Sequence, residues 1–221
     1  MPLLLTDLDN TLIDRTGAFR RWAERYVAGI GGAQAEVDWL LAADDDGFAA
    51  RSDVAKAMRD RWGLTESEDD LTELLLFGHL DYLQLDAEVI TGLSRASAAG
   101  WTAIVVTNGP VRQQEQKLRN TGLDRHVAGW VISEAAGFRK PDERIFQAAG
   151  EEAGMSLDGG WMLGDHPRAD IVGGIEAGLS TGWIRRGRSW QVLRYQPTIS
   201  ADSFAEAVDL MFATAAHEDN H

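Results

Sequence analysis

Five short apolar runs constrain this chain more than any other feature: PLLLTD (2–7), WTAIVVTN (101–108), VAGWVIS (127–133), GWMLGD (160–165) and TGWIRR (181–186). They lack the alternating polar positions of a half-exposed strand, so they read as strands covered on both faces, the signature of a parallel sheet. Helical patterns separate them. DAEVITGLSRASAAG places Val89, Ile90 and Leu93 on one face and stops at Gly100. GPVRQQEQKLRNTG and PDERIFQAAGEEAG each begin at a proline, favoured in a first turn, and end at a glycine. RADIVGGIEAGL and the closing ADSFAEAVDLMFATAA follow the same spacing. Strands alternating with helices predict βαβ units, hence an α/β, doubly wound Rossmann-like parallel sheet.

One segment, Thr16 to Gln84, breaks the alternation. Phe19, Trp22, Ala23, Tyr26, Val27 and Ile30 recur at helical spacing. Val54, Ala57, Met58 and Trp62 make a second stripe, and Leu71, Leu74, Leu75 and Tyr82 a third. Residues 16–84 are therefore expected to form an all-helical cap domain, inserted after the first strand of a core made of 1–15 and 85–221.

Composition narrows the function. A formal net charge of −14 repels nucleic-acid phosphates. With no cysteine, there is no disulfide framework and no thiolate metal site. The longest apolar runs are too short for a membrane span, and Leu3–Leu5 is too short for a signal-peptide core, so a cytoplasmic protein is expected. An acidic protein that takes a small anion needs local positive charge, from a divalent cation and a placed lysine.

Chemistry-bearing residues fall where strands end. Asp7 and Asp9 follow the first strand, Thr107 and Asn108 the second, and Asp165 and Asp170 the fourth; Lys140 precedes Pro141. In open α/β sheets ligands bind beyond the carboxyl ends of the strands, so these residues can converge. Carboxylates without a His or Cys cluster suit Mg²⁺, a hard ion that also takes phosphate oxygens. Lys and Thr can hold the remaining oxygens, and an Asp can serve as a nucleophile.

These residues resemble the motifs of the haloacid dehalogenase superfamily. DLDNT is similar to its D-x-D-x-T, VVTN to a strand ending in Ser or Thr, FRKPDERIF to Lys-Pro before a helix, and GDHPRAD to G-D-x-x-x-x-D. The four occur in the family's order and cover nearly the whole chain. The helical insert between the first two motifs resembles the family's helical-cap (C1) subgroup.

The resemblance implies Asp7 as nucleophile and Asp9 as general acid and base. It implies Mg²⁺ held by Asp7, the Asp9 carbonyl and Asp165, with Asp170 supporting from behind. Thr107, Asn108 and Lys140 would bind phosphate. Asp9 favours a phosphatase, since the family's dehalogenases carry no acid two positions after the nucleophile. The implied reaction is hydrolysis of a small phosphorylated metabolite through an aspartyl-phosphate. Alternatives are a sugar phosphomutase of the β-phosphoglucomutase kind, a haloacid dehalogenase and a receiver-type phospho-acceptor domain. A monomer or homodimer is expected, with neither nucleic acid nor membrane as partner.

Several features carry plainer expectations. Asp170 equally suits a helix cap. ADDDG (43–47) lacks calcium-loop spacing and reads as a solvated acidic turn. Phe48 and Arg51, just beyond it, are candidates for substrate contact. His166 suits either substrate contact or a structural turn. His79 and His126 read as structural, and Trp101, Trp130, Trp161 and Trp183 as core.

Overall fold

The computed structural model describes residues 2–218. The chain packs as two compact units, Met1–Ile13 with Leu85–His221, and Asp14–Gln84. Among the described residues no helix is long and apolar enough to cross a membrane.

The first unit is built on a six-stranded parallel sheet: β1 (Leu3–Thr6), β2 (Thr102–Thr107), β3 (Gly129–Ile132), β4 (Trp161–Gly164), β5 (Ser180–Ile184) and β6 (Ile199–Ala201). The order is β3-β2-β1-β4-β5-β6, every neighbouring pair parallel. All four residues of β1 are buried. The chain winds outward from β1 through β2 and β3, then crosses back to β4 on its other side. That reversal makes the carboxyl ends of β1, β2 and β4 the topological switch point, where a crevice opens. β6 pairs only three residues onto β5 at the sheet edge. The sequence pattern does not announce it, because a short edge strand need not be apolar on both faces.

The second unit contains α1 (Arg15–Gly29), α2 (Gln34–Asp44), α3 (Arg51–Trp62) and α4 (Glu68–Phe77). Asp14 caps α1 by accepting from the Gly17 N–H, and Ser67 caps α4 by accepting from the Asp70 N–H. Phe19, Trp22, Val27, Leu40, Val54, Met58, Leu71 and Leu75 form its buried core. Tyr82 lies not on α4 but in a following 3₁₀ turn, Leu80–Tyr82.

The acidic run 43–47 departs from expectation. Asp44 is 2% exposed, and its carboxylate is shared by the guanidiniums of Arg15 and Arg51. Of the three aspartates only Asp45 is exposed, since Asp46 accepts from the Thr16 hydroxyl; both Asp45 and Asp46 take positive φ. The pattern hides this because the two arginines that bury Asp44 come from different helices.

Back in the first unit are α5 (Ala87–Ala98), α6 (Val111–Thr121), α7 (Ser133–Ala136), α8 (Glu143–Ala153), α9 (Gly173–Glu176) and α10 (Phe204–Glu218). Ile145, Phe146 and Ala149 of α8 pack with Leu3, Leu5, Ile104, Val106 and Met162 of the sheet. Pro141 lies two residues ahead of α8, whose N-cap is Asp142. The expected helix at RADIVGGIEAGL is a π turn, Pro167–Val172, running into α9. Trp161 and Trp183 are core, whereas Trp101, just before β2, and Trp130, within β3, are only half-buried.

Candidate active site

β1 carries the chain to Asp7, whose N–H extends the β1–β4 pairing by donating to the Leu163 carbonyl at 2.9 Å. This fixes the Asp7 backbone before its side chain meets anything. The turn that follows is tight: Leu12 and Ile13 both donate to the Leu8 carbonyl, and Asn10 adopts φ 62. Asparagine tolerates that left-handed conformation better than most residues. Thr11 lies in the same turn, its hydroxyl 3.5 Å from Asp7 Oδ2.

Lys140 connects the carboxylates. Its ammonium, almost fully buried, lies 2.6 Å from Asp7 Oδ1 and 2.7 Å from Asp170 Oδ1. Asn108 holds it there: the side-chain amide donates to the Lys140 carbonyl at 3.1 Å and accepts from the Lys140 N–H at 2.9 Å. The Asn108 side chain thus positions the lysine's backbone. Asp170 accepts from the His166 N–H at 2.9 Å and faces Gly164 closely enough that a Cβ there would sit 2.4 Å from its carboxyl carbon. Only glycine fits at 164. The helix-cap expectation for Asp170 gives way: His166 caps that turn, its Nδ1 accepting from the N–H groups of Arg168 and Ala169.

Asp7, Asp165 and Asp170 bring one carboxylate oxygen each to within 4.8 Å of one another, all three residues buried. Burial pushes the Asp7 carboxyl up to about 8, against the pull of Lys140 and with the push of Asp170 and Asp165. Burial likewise raises Asp165 to about 6, helped by Asp170. For Lys140 burial acts downward, but Asp170 and Asp7 outweigh it and hold the ammonium above its ordinary range. Three crowded carboxylates, two of them on Lys140, offer only oxygen donors and fit a hard divalent cation.

Three features lie outside the sequence motifs. Arg186 and Arg188, just past β5, reach Asp165 Oδ2 at 3.2 and 2.9 Å, and Trp183 donates to the Asp165 carbonyl. Arg186 does so from φ 50, a conformation costly for a side-chain-bearing residue. On α6, Lys117 pairs with Asp9 Oδ2 at 2.6 Å, and the Gln114 amide reaches both Asp9 and Thr107. The available signal was polar residues on the buried stripe of α6, where Gln113, Gln114 and Lys117 replace the expected apolar side chains.

The strand-end residues Asp7, Asp9, Thr107, Asn108, Lys140, Asp165 and Asp170 therefore lie in one linked network. Asp9 points its carboxylate toward Lys117 rather than into the acidic trio. Phe48 and Arg51 belong to the helical unit, where Phe48 is 54% exposed and the Arg51 guanidinium is bound to Asp44.

Comparison with known proteins agrees with this fold. Over 183 residues the chain is 31% identical to phosphoserine phosphatase of Thermus thermophilus, covering 78% of this chain and 71% of that protein. It is 37% identical over 108 residues to the pyrimidine 5'-nucleotidase YjjG of Escherichia coli, a match spanning about half of each (48% and 48%). The magnesium-bound HAD-hydrolase YfnB of Bacillus subtilis superimposes with a TM-score of 0.75 at 24% identity, covering 95% of this chain and 98% of that one. A haloacid dehalogenase-like hydrolase family model matches residues 1–178, and the chain belongs to that family of hydrolases.

Proposed function

We propose that this hydrolase is a Mg²⁺-dependent phosphatase acting on a small phosphate monoester. The observation that carries the reading is the placement of Asp9: a second carboxylate two residues past Asp7, held by its own lysine, outside the trio of Asp7, Asp165 and Asp170. An ester needs a proton on its departing oxygen, and Asp9 is the residue placed to give one. The phosphatases and nucleotidases among the relatives support the same reading.

Asp7, Asp165 and the Asp9 carbonyl would hold Mg²⁺, with Asp170 behind them. When bound, the ion screens the carboxylates and draws charge from the phosphoryl oxygens. An oxygen of Asp7 bonds to phosphorus as the phosphorus–oxygen bond to the leaving group breaks, and Asp9 gives its proton to that oxygen. Asp9, now a carboxylate, takes a proton from water. The water oxygen bonds to phosphorus, the Asp7–phosphorus bond breaks, and phosphate leaves with both aspartates restored. Lys140 and the Thr107 hydroxyl bind phosphoryl oxygens throughout.

The helical unit is the cap of the helical-cap subgroup, the part that sets substrate choice. Phe48 and Arg51 of this unit are the proposed substrate contacts, and the Arg51 guanidinium is also bound to Asp44. Purified protein with Mg²⁺ and p-nitrophenyl phosphate tests the reading. Release of inorganic phosphate that stops in Asp7→Asn supports it. Phosphate that moves within a sugar phosphate without release points to a mutase instead.

A further inference from the structure

Two residues one turn apart on α6 do something the proposed mechanism leaves unassigned. Gln114 is fully buried, and the Lys117 side chain is 3% exposed. The Gln114 Nε2 lies 2.5 Å from Thr107 Oγ1, 3.2 Å from Asp9 Oδ2 and 3.3 Å from the Asn108 carbonyl. A carboxylate and a carbonyl only accept, so the amide's NH₂ end must face them. Its Oε1 is left buried without a hydrogen-bond partner. Leaving a buried acceptor unpaired is costly, and a chain selected for packing alone would place Leu or Met here.

The donor direction has two consequences. Thr107 Oγ1 receives an N–H from Gln114, which turns the single Thr107 hydroxyl proton away from α6. Asp9 receives both Lys117 and Gln114 on the same oxygen, Oδ2, so the rotation of its carboxylate is fixed. Gly109 makes room, since at its φ of 154 a Cβ would press on the Gln114 side chain at 3.1 Å.

We propose that Gln114 and Lys117 are positioning residues that latch the Asp9 carboxylate and the Thr107 hydroxyl into the orientations needed for proton transfer to the leaving group and for phosphoryl binding. The inference rests on the phosphatase reading above. It distinguishes Lys117 from Lys140: Lys140 faces the nucleophile, while Lys117 faces the acid and acts through it.

Leaving-group dependence tests the latch. p-Nitrophenolate departs readily without a proton; phenolate needs one more. Lys117→Met should lose no more than about threefold in kcat/KM on p-nitrophenyl phosphate and at least about thirtyfold on phenyl phosphate, within the range of general acid catalysis. Lys117→Arg should recover part of the phenyl phosphate loss, and inhibition by inorganic phosphate should stay within about threefold of wild type in both variants. Equal losses on the two esters overturn the latch, as does phosphate inhibition weakened about tenfold or more, which would make Lys117 a phosphate ligand. If Lys117→Met does not fold, Lys117→Gln carries the same comparison. A wild-type protein that hydrolyses neither ester overturns the phosphatase reading and the latch with it; wild-type turnover with equal losses overturns the latch alone.

Discussion

Each unit of the molecule buries a carboxylate, and the two are treated in opposite ways. In the helical unit Asp44 sits between two guanidiniums. Burial alone would raise its carboxyl, yet the hydrogen bonds and charges of Arg15 and Arg51 hold it below the ordinary range. At the strand ends Asp7 shares Lys140 with Asp170, while Arg186 and Arg188 take Asp165, yet burial still pushes the Asp7 carboxyl up to about 8. In the first, two guanidiniums more than offset the single carboxylate, and the cluster serves the packing of helices. In the second, burial and the neighbouring carboxylates outweigh the pull of Lys140 on Asp7, which leaves its carboxylate for a bound cation to stabilise, and function follows from that. Counting aspartates in a sequence does not separate the two cases; whether the surroundings hold each carboxyl above or below its ordinary range does.

The largest effect should come from the nucleophile. Asp7→Asn should lower kcat on the order of 10⁴-fold or more, read as phosphate release with Mg²⁺ present. A loss under about tenfold would remove Asp7 from the covalent step. The corresponding change in the helical unit should act on stability instead. Asp44→Asn breaks a buried ion network and should cost about 3–5 kcal/mol in urea unfolding. A cost below about 1 kcal/mol would reduce Asp44 to the weak kind of ion pair typical of exposed surfaces.

pH should separate the clusters by sign. For Asp7 the folded value exceeds the unfolded one, so its contribution to stability is full at low pH and fades as pH climbs from 3.8 to about 8. Metal-free protein should therefore lose Tm across that window, Mg²⁺ should restore it, and Asp7→Asn should flatten the loss. Asp44 is the reverse: its folded value lies below 3.8, so its contribution is present above that pH and lost only as pH falls through the depressed value. A metal-free Tm that rises between pH 5 and 8 would break this half of the comparison. The smallest effect is expected at Asn108. Asn108→Ala releases the Lys140 backbone and should lower kcat about tenfold while leaving Tm within a few degrees.

How much of this was legible in the sequence depends on where each signal lives. The two-sided burial of β1, β2 and β4 shows in unbroken apolar runs, so the parallel core and the strand-end residues could be placed in advance. β6 is three residues at the edge and leaves no such trace. Asp7, Lys140 and Asp165 stand in local motifs. Lys117 and Gln114 do not: their meaning comes from which face of α6 meets the sheet, a fact of packing. The run 43–47 reads as a solvated turn for the same reason, since Arg15, which helps bury Asp44, is 29 residues away. Arg186 and Arg188 follow a strand with no motif, and only the structure brings them to Asp165.

The central claim is that the strand-end cluster performs covalent phosphoryl transfer through Asp7. Asp9→Asn protein mixed with p-nitrophenyl phosphate and Mg²⁺ tests it most directly. The leaving group needs little acid help, so Asp7 is phosphorylated, while water attack lacks its base and the adduct accumulates. Rapid quenching and peptide mass spectrometry should then find one phosphoryl group on the peptide that carries Asp7. Release of p-nitrophenol with no phosphoryl group on that peptide, or with the group on another residue, would contradict the account.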